Sequence, residues 1–199
     1  MSIWNERYAG AEYFYGTEPN AFLVSQHGLL RPGMSCLAVA DGEGRNGAWL
    51  AEQGLEVLSL DASSVAQDKA KRLSKTRNVT MRFEQADLLA WRSTERFDVV
   101  AAIFIQFVGP DLRPVQFENL KRHLKPGGLL LLQGYTPRQL DYKTGGPSQV
   151  ENLYTETILR ELCADMDILH LCEHDSVIHE GTGHSGMSAL IDLVARTRP

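Results

Sequence analysis

Five apolar runs of strand length recur along the 199-residue chain, at Ser35–Ala40, Glu56–Asp61, Thr80–Gln85, Phe97–Ile103 and Leu129–Gly134, with amphipathic segments between most of them. Few folds accept that alternation. Strand, helix, strand in steady succession is the pattern of a parallel sheet whose crossovers are helices. Val99-Val100-Ala101-Ala102-Ile103 and Leu129-Leu130-Leu131-Leu132 are apolar almost without interruption. Such runs suit strands covered on both faces rather than strands with one face in water. The expectation is an α/β fold around a doubly wound, mostly parallel sheet.

The intervening segments read as helices. Asn46–Gln53 is stopped by Gly54, Ser64–Leu73 is opened by a Ser cap, and Leu112–Leu124 ends before Pro126-Gly127-Gly128. Thr155–Cys163 is a fourth. The pattern then changes. Asp167–Cys172 and Met187–Arg196 read as two strands joined by a polar, Gly-rich loop, residues 179–186, and are expected to close the sheet as an antiparallel pair. With no internal repeat, residues 1–199 are expected to form one domain, residues 1–30 being an N-terminal extension packed on the core.

Composition narrows the partners. The formal net charge is -5 and no Lys/Arg cluster stands out, so the chain lacks the electrostatic footprint of a phosphate-backbone binder and nucleic acid is not expected as substrate. Cys36, Cys163 and Cys172 are odd in number and widely spaced, which suggests free thiols in a reducing compartment. The first residues lack the basic start and apolar run of a signal peptide, and no stretch is long enough to span a bilayer. A cytoplasmic location with no membrane partner is the expectation. His170 and His174 are too far apart along a strand to share one ion, so no metal is expected; oligomeric state is not legible.

Chemistry concentrates at the strand ends. The first strand runs into Asp41-Gly42-Glu43-Gly44-Arg45-Asn46-Gly47, a glycine turn entering a helix, where a ligand can approach the backbone without a Cβ in the way. Gly42, Gly44 and Gly47 also satisfy the GxGxxG spacing of nicotinamide and flavin sites. Asp61 ends the second strand, where a carboxylate accepts hydrogen bonds from ribose hydroxyls; that role is shared by NAD and S-adenosylmethionine sites. Asp87 follows the third strand, where an acid can accept from the exocyclic amine of adenine. Singly, either Asp reads equally as a helix cap or a solvated strand end. Together, at successive strand ends, they favour a ligand site.

These features resemble the class I S-adenosylmethionine-dependent methyltransferases, in particular the small bacterial group similar to tellurite-resistance and thiopurine methyltransferases. The resemblance rests on Trp4-x-x-Arg7-Tyr8, Tyr15-Gly16-Thr17-Glu18-Pro19-Asn20, Gly42-Glu43-Gly44-Arg45-Asn46, Asp61-Ala62-Ser63, Ala86-Asp87-Leu88, Phe97-Asp98-Val99-Val100 and Leu124-Lys125-Pro126-Gly127-Gly128. It implies a Rossmann-like fold and S-adenosylmethionine as cofactor. Gly42, Gly44, Asp61 and Asp87 are then the cofactor contacts, with Ala62, Leu88 and Ile103 as walls and Arg45 and Asn46 as further candidates. There is one departure. Aligning the glycines puts Ala38 where the family carries an acid and Ala40 where it carries its first glycine; Asp41 and Glu43 are the neighbouring acids.

The acceptor is less legible. Ile103-Phe104-Ile105-Gln106-Phe107 replaces the Asn/Asp-Pro-Pro-Tyr-like motif of methyltransferases acting on base or glutamine amino groups. A small acceptor is expected, with a thiol, thiopurine or chalcogen oxyanion compatible with the resemblance. Gln106, Tyr135 and His184 are the acceptor-side candidates, each with a plain packing role as the alternative. Trp4, Tyr13, Phe14 and Tyr15 read either as a lid or as an apolar strap. Two competing functions remain: an NAD-dependent oxidoreductase, from the glycine spacing, and a non-catalytic binding protein, from Ala38 and Ala40.

Overall fold

The computed structural model describes residues 3–198. In chain order the elements are α1 (Ile3–Arg7), α2 (Ala21–Ser25), β1 (Ser35–Val39), α3 (Arg45–Glu52), β2 (Glu56–Asp61), α4 (Ser64–Thr76), β3 (Arg82–Gln85) and β4 (Phe97–Ile103). They continue with α5 (Arg113–Arg122), β5 (Leu124–Tyr135), α6 (Gln139–Tyr142), α7 (Glu156–Leu162), β6 (Met166–Glu180) and β7 (His184–Thr197). One seven-stranded sheet runs β3-β2-β1-β4-β5-β7-β6. Strands β1 to β5 pair in parallel, and β7 is antiparallel to both β5 and β6. The Rossmann-like, doubly wound sheet with an antiparallel C-terminal pair is thus the observed architecture.

Alternate strand residues enter two cores, one on each face of the sheet. Leu37, Leu58, Leu60 and Val100 pack with Phe117 and Leu120 of α5 and Leu159 of α7. Cys36, Val57, Val99 and Ala101 pack on the opposite face with Phe22 and Leu23 of α2 and Trp49 and Leu50 of α3. Burial on both faces is why Val99–Ile103 and Leu129–Leu132 are apolar at every position, whereas the edge strand β3 is polar and largely exposed. The helix starts follow from short polar side chains: Ser63 Oγ accepts from the Ala66 amide, and Thr155 Oγ1 from that of Ile158.

Two differences from the expected boundaries bear on how the sheet is built. The helix expected to reach Leu124 ends at Arg122, and Leu124 begins β5 opposite Phe97. The pairing then jumps to Val99 with Leu129, and Lys125-Pro126-Gly127-Gly128 is the irregular stretch between. A proline without an amide proton and a glycine at φ +75° cannot hold a regular ladder there. The second difference matters for function. The polar loop expected over residues 179–186 is mostly strand: β6 and β7 pair from Met166 with Thr197 to Glu180 with His184. Since β5 pairs with β7 only over Leu190–Arg196, residues 176–189 form a two-stranded arm that runs past the end of β5. Cross-strand pairing overrides the glycine content, Gly186 sitting in β7 at φ +121°.

Candidate active site

The sheet order reverses between β1 and β4, the switch point at which such sheets hold ligands beyond the carboxyl ends of their strands. A cavity of about 1000 Å3 opens there. Its floor is the chain leaving β1. Ala40 adopts φ +48° and Gly42 φ +58°, so the turn is left-handed at the alanine that stands in the family's glycine position. Gly42 lines the cavity, whereas Gly44 does not. A Cβ on Gly44 would lie 2.6 Å from Ala70 Cβ, so this glycine serves the close approach of α3 to α4 and the φ +86° turn, not ligand contact.

Asp41 holds the turn from below. Its carboxylate accepts from the Gly47 amide at 3.1 Å and from Ser59 Oγ at 2.7 Å. Burial pushes its carboxyl up to about 7, opposed by the Ser59 and Gly47 bonds. Glu43, also buried, pairs with Lys69 Nζ at 2.7 Å and accepts from the Tyr15 amide at 3.3 Å. The acids flanking the alanine substitutions therefore anchor the loop, Asp41 to β2 and Glu43 to α4 and the N-terminal segment.

The strand-end acids follow. Asp61 is buried, accepting from the Gly42 amide at 2.9 Å and the Ser63 amide at 2.8 Å, and burial raises its carboxyl above the ordinary range. Each oxygen keeps a lone pair beyond these bonds. Asp87 is exposed and accepts from the Leu89 amide at 2.8 Å. Ala62, Leu88 and Ile103 line the same cavity. A buried acid at β2, a second acid after β3 and apolar walls between them fit an adenosine: hydroxyls to the first, the base amine to the second. Arg45 and Asn46 also line it but already have partners. Arg45 Nη2 is 2.6 Å from Glu180 Oε2, and Asn46 Oδ1 accepts from the Asn20 amide at 2.9 Å.

The far end of the cavity is aromatic. Phe104, at φ +57°, stacks on Tyr135 with centroids 4.7 Å apart, and the His184 ring lies 4.5 Å from both Phe104 and Tyr15. His184 and Tyr135 are buried, and neither His184 Nδ1 nor Tyr135 Oη has a hydrogen-bond partner. Burial lowers the His184 pKa below its ordinary value, against the opposing pull of Glu180. Gln106 is differently employed: its amide accepts from Tyr135 N at 2.5 Å and donates to the carbonyls of Tyr135 and Asn152. Its groups are engaged with backbone. Trp4, Phe14 and Tyr15 cover the cavity, while Tyr13 turns away to donate to the Lys69 carbonyl. Tyr8 and Asn20 stood in motifs that carry the resemblance but were given no site role, and Glu180 was not singled out, because nothing local to its segment shows what it meets across the fold.

Residues 36–128 match a family model described as a methyltransferase domain. The match covers 93 of the 199 residues. No curated protein matches the chain in sequence. Among solved structures it is similar to TehB from Haemophilus influenzae, 20% identical with TM-score 0.74, over 90% of this chain and 62% of that one. The chain thus spans less than two thirds of TehB. It is similar over 98% of its own length and 97% of the other to the N-methyltransferase NodS from Bradyrhizobium japonicum WM9 in complex with S-adenosyl-L-homocysteine, 14% identical with TM-score 0.73. The magnesium protoporphyrin IX methyltransferase ChlM from Synechocystis PCC 6803, with the same product bound, is 18% identical, covering 89% of this chain and 78% of that one at TM-score 0.68. At these identities the neighbours establish the fold. Among the described residues no helix is long and apolar enough to cross a membrane.

Proposed function

We propose that the whole chain, acting as one domain, transfers a methyl group from S-adenosylmethionine to a small acceptor, a thiol or thiopurine before a chalcogen oxyanion. One observation carries this reading: a single cavity runs from Asp61 and Gly42, the donor end, past Ile103 to an enclosed aromatic end at Phe104, Tyr135 and His184. Rings at 4.5–4.7 Å suit a planar or soft apolar acceptor, and of the two arginines that line the cavity Arg45 is committed to Glu180. Fold similarity does not select an acceptor, since the neighbours include both an N-methyltransferase and a magnesium protoporphyrin IX methyltransferase.

Gly42, Asp61 and Asp87 would hold the cofactor, with Ala62, Leu88 and Ile103 as walls. When bound it supplies an electrophilic methyl carbon, and the protein's part is alignment and exclusion of water. Trp4, Phe14 and Tyr15 exclude solvent, Tyr135 and His184 face the acceptor, and Gln106 fixes the chain after β4 against Tyr135. Titration calorimetry with S-adenosylmethionine, S-adenosylhomocysteine and NAD tests the donor end. Tight binding of NAD alone would overturn the reading, and binding of none would favour a non-catalytic protein. A screen of thiols, thiopurines and chalcogen oxyanions for S-adenosylhomocysteine release tests the acceptor.

A further inference from the structure

We infer that Glu180 and His184 form a proton-accepting pair, in which Glu180 orients the imidazole and His184 takes the proton of a protic acceptor. The inference rests on the methyl-transfer reading above and adds a role for a residue outside the cofactor loop. The two side chains face each other across the tip of the arm, where Glu180 of β6 pairs with His184 of β7.

Glu180 is fixed on three sides. Oε2 meets Arg45 Nη2 at 2.6 Å and Oε1 accepts from Asn20 Nδ2 at 2.8 Å. Oε2 also lies 3.6 Å from His184 Nδ1. That is ion-pair range, slightly beyond a hydrogen bond, and contacts of this kind tighten when the reacting complex forms. A buried ring nitrogen without a partner, beside a buried carboxylate, is costly as an isolated arrangement. It is useful in a proton acceptor, because a proton on Nδ1 aimed at Glu180 leaves the lone pair on Nε2, the nitrogen on the other side of a ring that lines the cavity. Near it is Tyr135, whose buried hydroxyl is unpartnered. A Cβ on Gly145 would sit 3.0 Å from His184 Cδ2 and 3.3 Å from Tyr135 Oη, so glycine keeps the space between the two groups open.

In the transfer, the acceptor's X–H bond breaks and its electron pair stays on X, while the proton goes to Nε2. X then bonds the methyl carbon, and the sulfur that releases it keeps the electron pair of the broken bond. The imidazolium is stabilised by Glu180, which Arg45 keeps ionised. Because Arg45 opens α3 directly after the glycine turn, the pair is tied to the cofactor loop. The charged and titratable groups around His184 are Glu180 on its own hairpin, Arg45 from α3, Arg7 and Tyr15 from the N-terminal segment, and Tyr135 from β5.

The test is nitrogen NMR of histidine-labelled protein with S-adenosylhomocysteine added, the His184 signal being assigned by its loss in His184→Gln. Neutral His184 is expected as the Nδ1–H tautomer; the Nε2–H tautomer would overturn the proposal in the wild-type protein, independent of any variant. In Glu180→Gln the His184 pKa is expected to fall, and an unchanged value also counts against the pair. Should that variant not fold, Glu180→Asp, one methylene shorter, is expected to move it in the same direction. Kinetics supply the second arm. With 2-mercaptoethanol, mostly protonated at neutral pH, Glu180→Gln is expected to lower turnover about 10- to 100-fold and to move the acidic limb of the pH profile downward. With 4-nitrothiophenol, already a thiolate, the loss should stay within about threefold, since no proton needs removing. Equal losses would refute the proton-accepting role. If the wild type methylates neither probe, the thiol reading of the acceptor fails, while the NMR result still decides the pair.

Discussion

At the scale of single residues, the two acids next to the glycine turn do different work. Asp61 satisfies two backbone amides while facing the cavity, so Asp61→Ala removes the proposed ligand contact and leaves the Gly42 and Ser63 amides unpaired. Calorimetry with S-adenosylhomocysteine should show about 10- to 100-fold weaker binding, the scale of losing hydrogen bonds to a charged group. A lower melting temperature should accompany it. Asp41 makes a prediction about pH. Its folded pKa of about 7 lies above the ordinary value of 3.8, so between these values the folded state holds a proton that the unfolded chain has released. Its contribution is fully present below about pH 4 and is lost as pH rises through about 7. Melting curves across that window should show Asp41→Asn losing less stability than wild type as pH rises; parallel curves would refute the assignment.

At the scale of elements, the arm formed by β6 and β7 decides the shape of the aromatic end of the cavity. Its turn is held to the N-terminal segment, the Thr182 amide donating to the Phe14 carbonyl at 2.9 Å. Gly181 has φ +65°, and a Cβ there would collide with that same carbonyl and with the Gly16 amide. Gly181→Ala combines left-handed strain with loss of this docking, so a destabilisation of about 2 kcal/mol or more is expected, with faster proteolysis near residue 14. The same exchange at Gly127, also left-handed at φ +75° but with nothing within 4 Å of a Cβ, should cost only the backbone strain, about 1–2 kcal/mol.

At the scale of the whole molecule, Asn20 links parts distant in the chain. It caps α2, donates to Gln133 Oε1 at 2.6 Å and to Glu180 Oε1 at 2.8 Å, and its amide is held by Asn46. Asn20→Ala should cost about 1–3 kcal/mol, because buried acceptors on β5 and β6 lose a donor. Since the N-terminal segment covers the cavity through Trp4, Phe14 and Tyr15, saturating S-adenosylhomocysteine should slow hydrogen exchange of amides in residues 4–20. Slowing confined to residues 36–128 would show that the segment takes no part in ligand binding.

How far the sequence reaches is clear from particular residues. The strand–helix order, burial on both sheet faces, the Ser63 cap and the placing of Asp61 at the end of β2 were all legible, because each depends on contacts within a turn, a strand or one βα unit, and local periodicity records such contacts directly. Leu124 was misread because nothing local says that it pairs with Phe97 across the sheet. The arm was misread because its glycines and polar residues look like a loop until the partner strand supplies the hydrogen bonds. His184 and Tyr135 were visible as candidates by strand position, but Glu180 and Asn20, 160 residues apart, carried no signal of their meeting. Sequence alone determined the parallel sheet and placed Gly42, Asp61 and Asp87 at its strand ends; only the tertiary structure, by closing loops whose ends share no local pattern, assembled the Asn20, Arg45, Glu180 and His184 cluster.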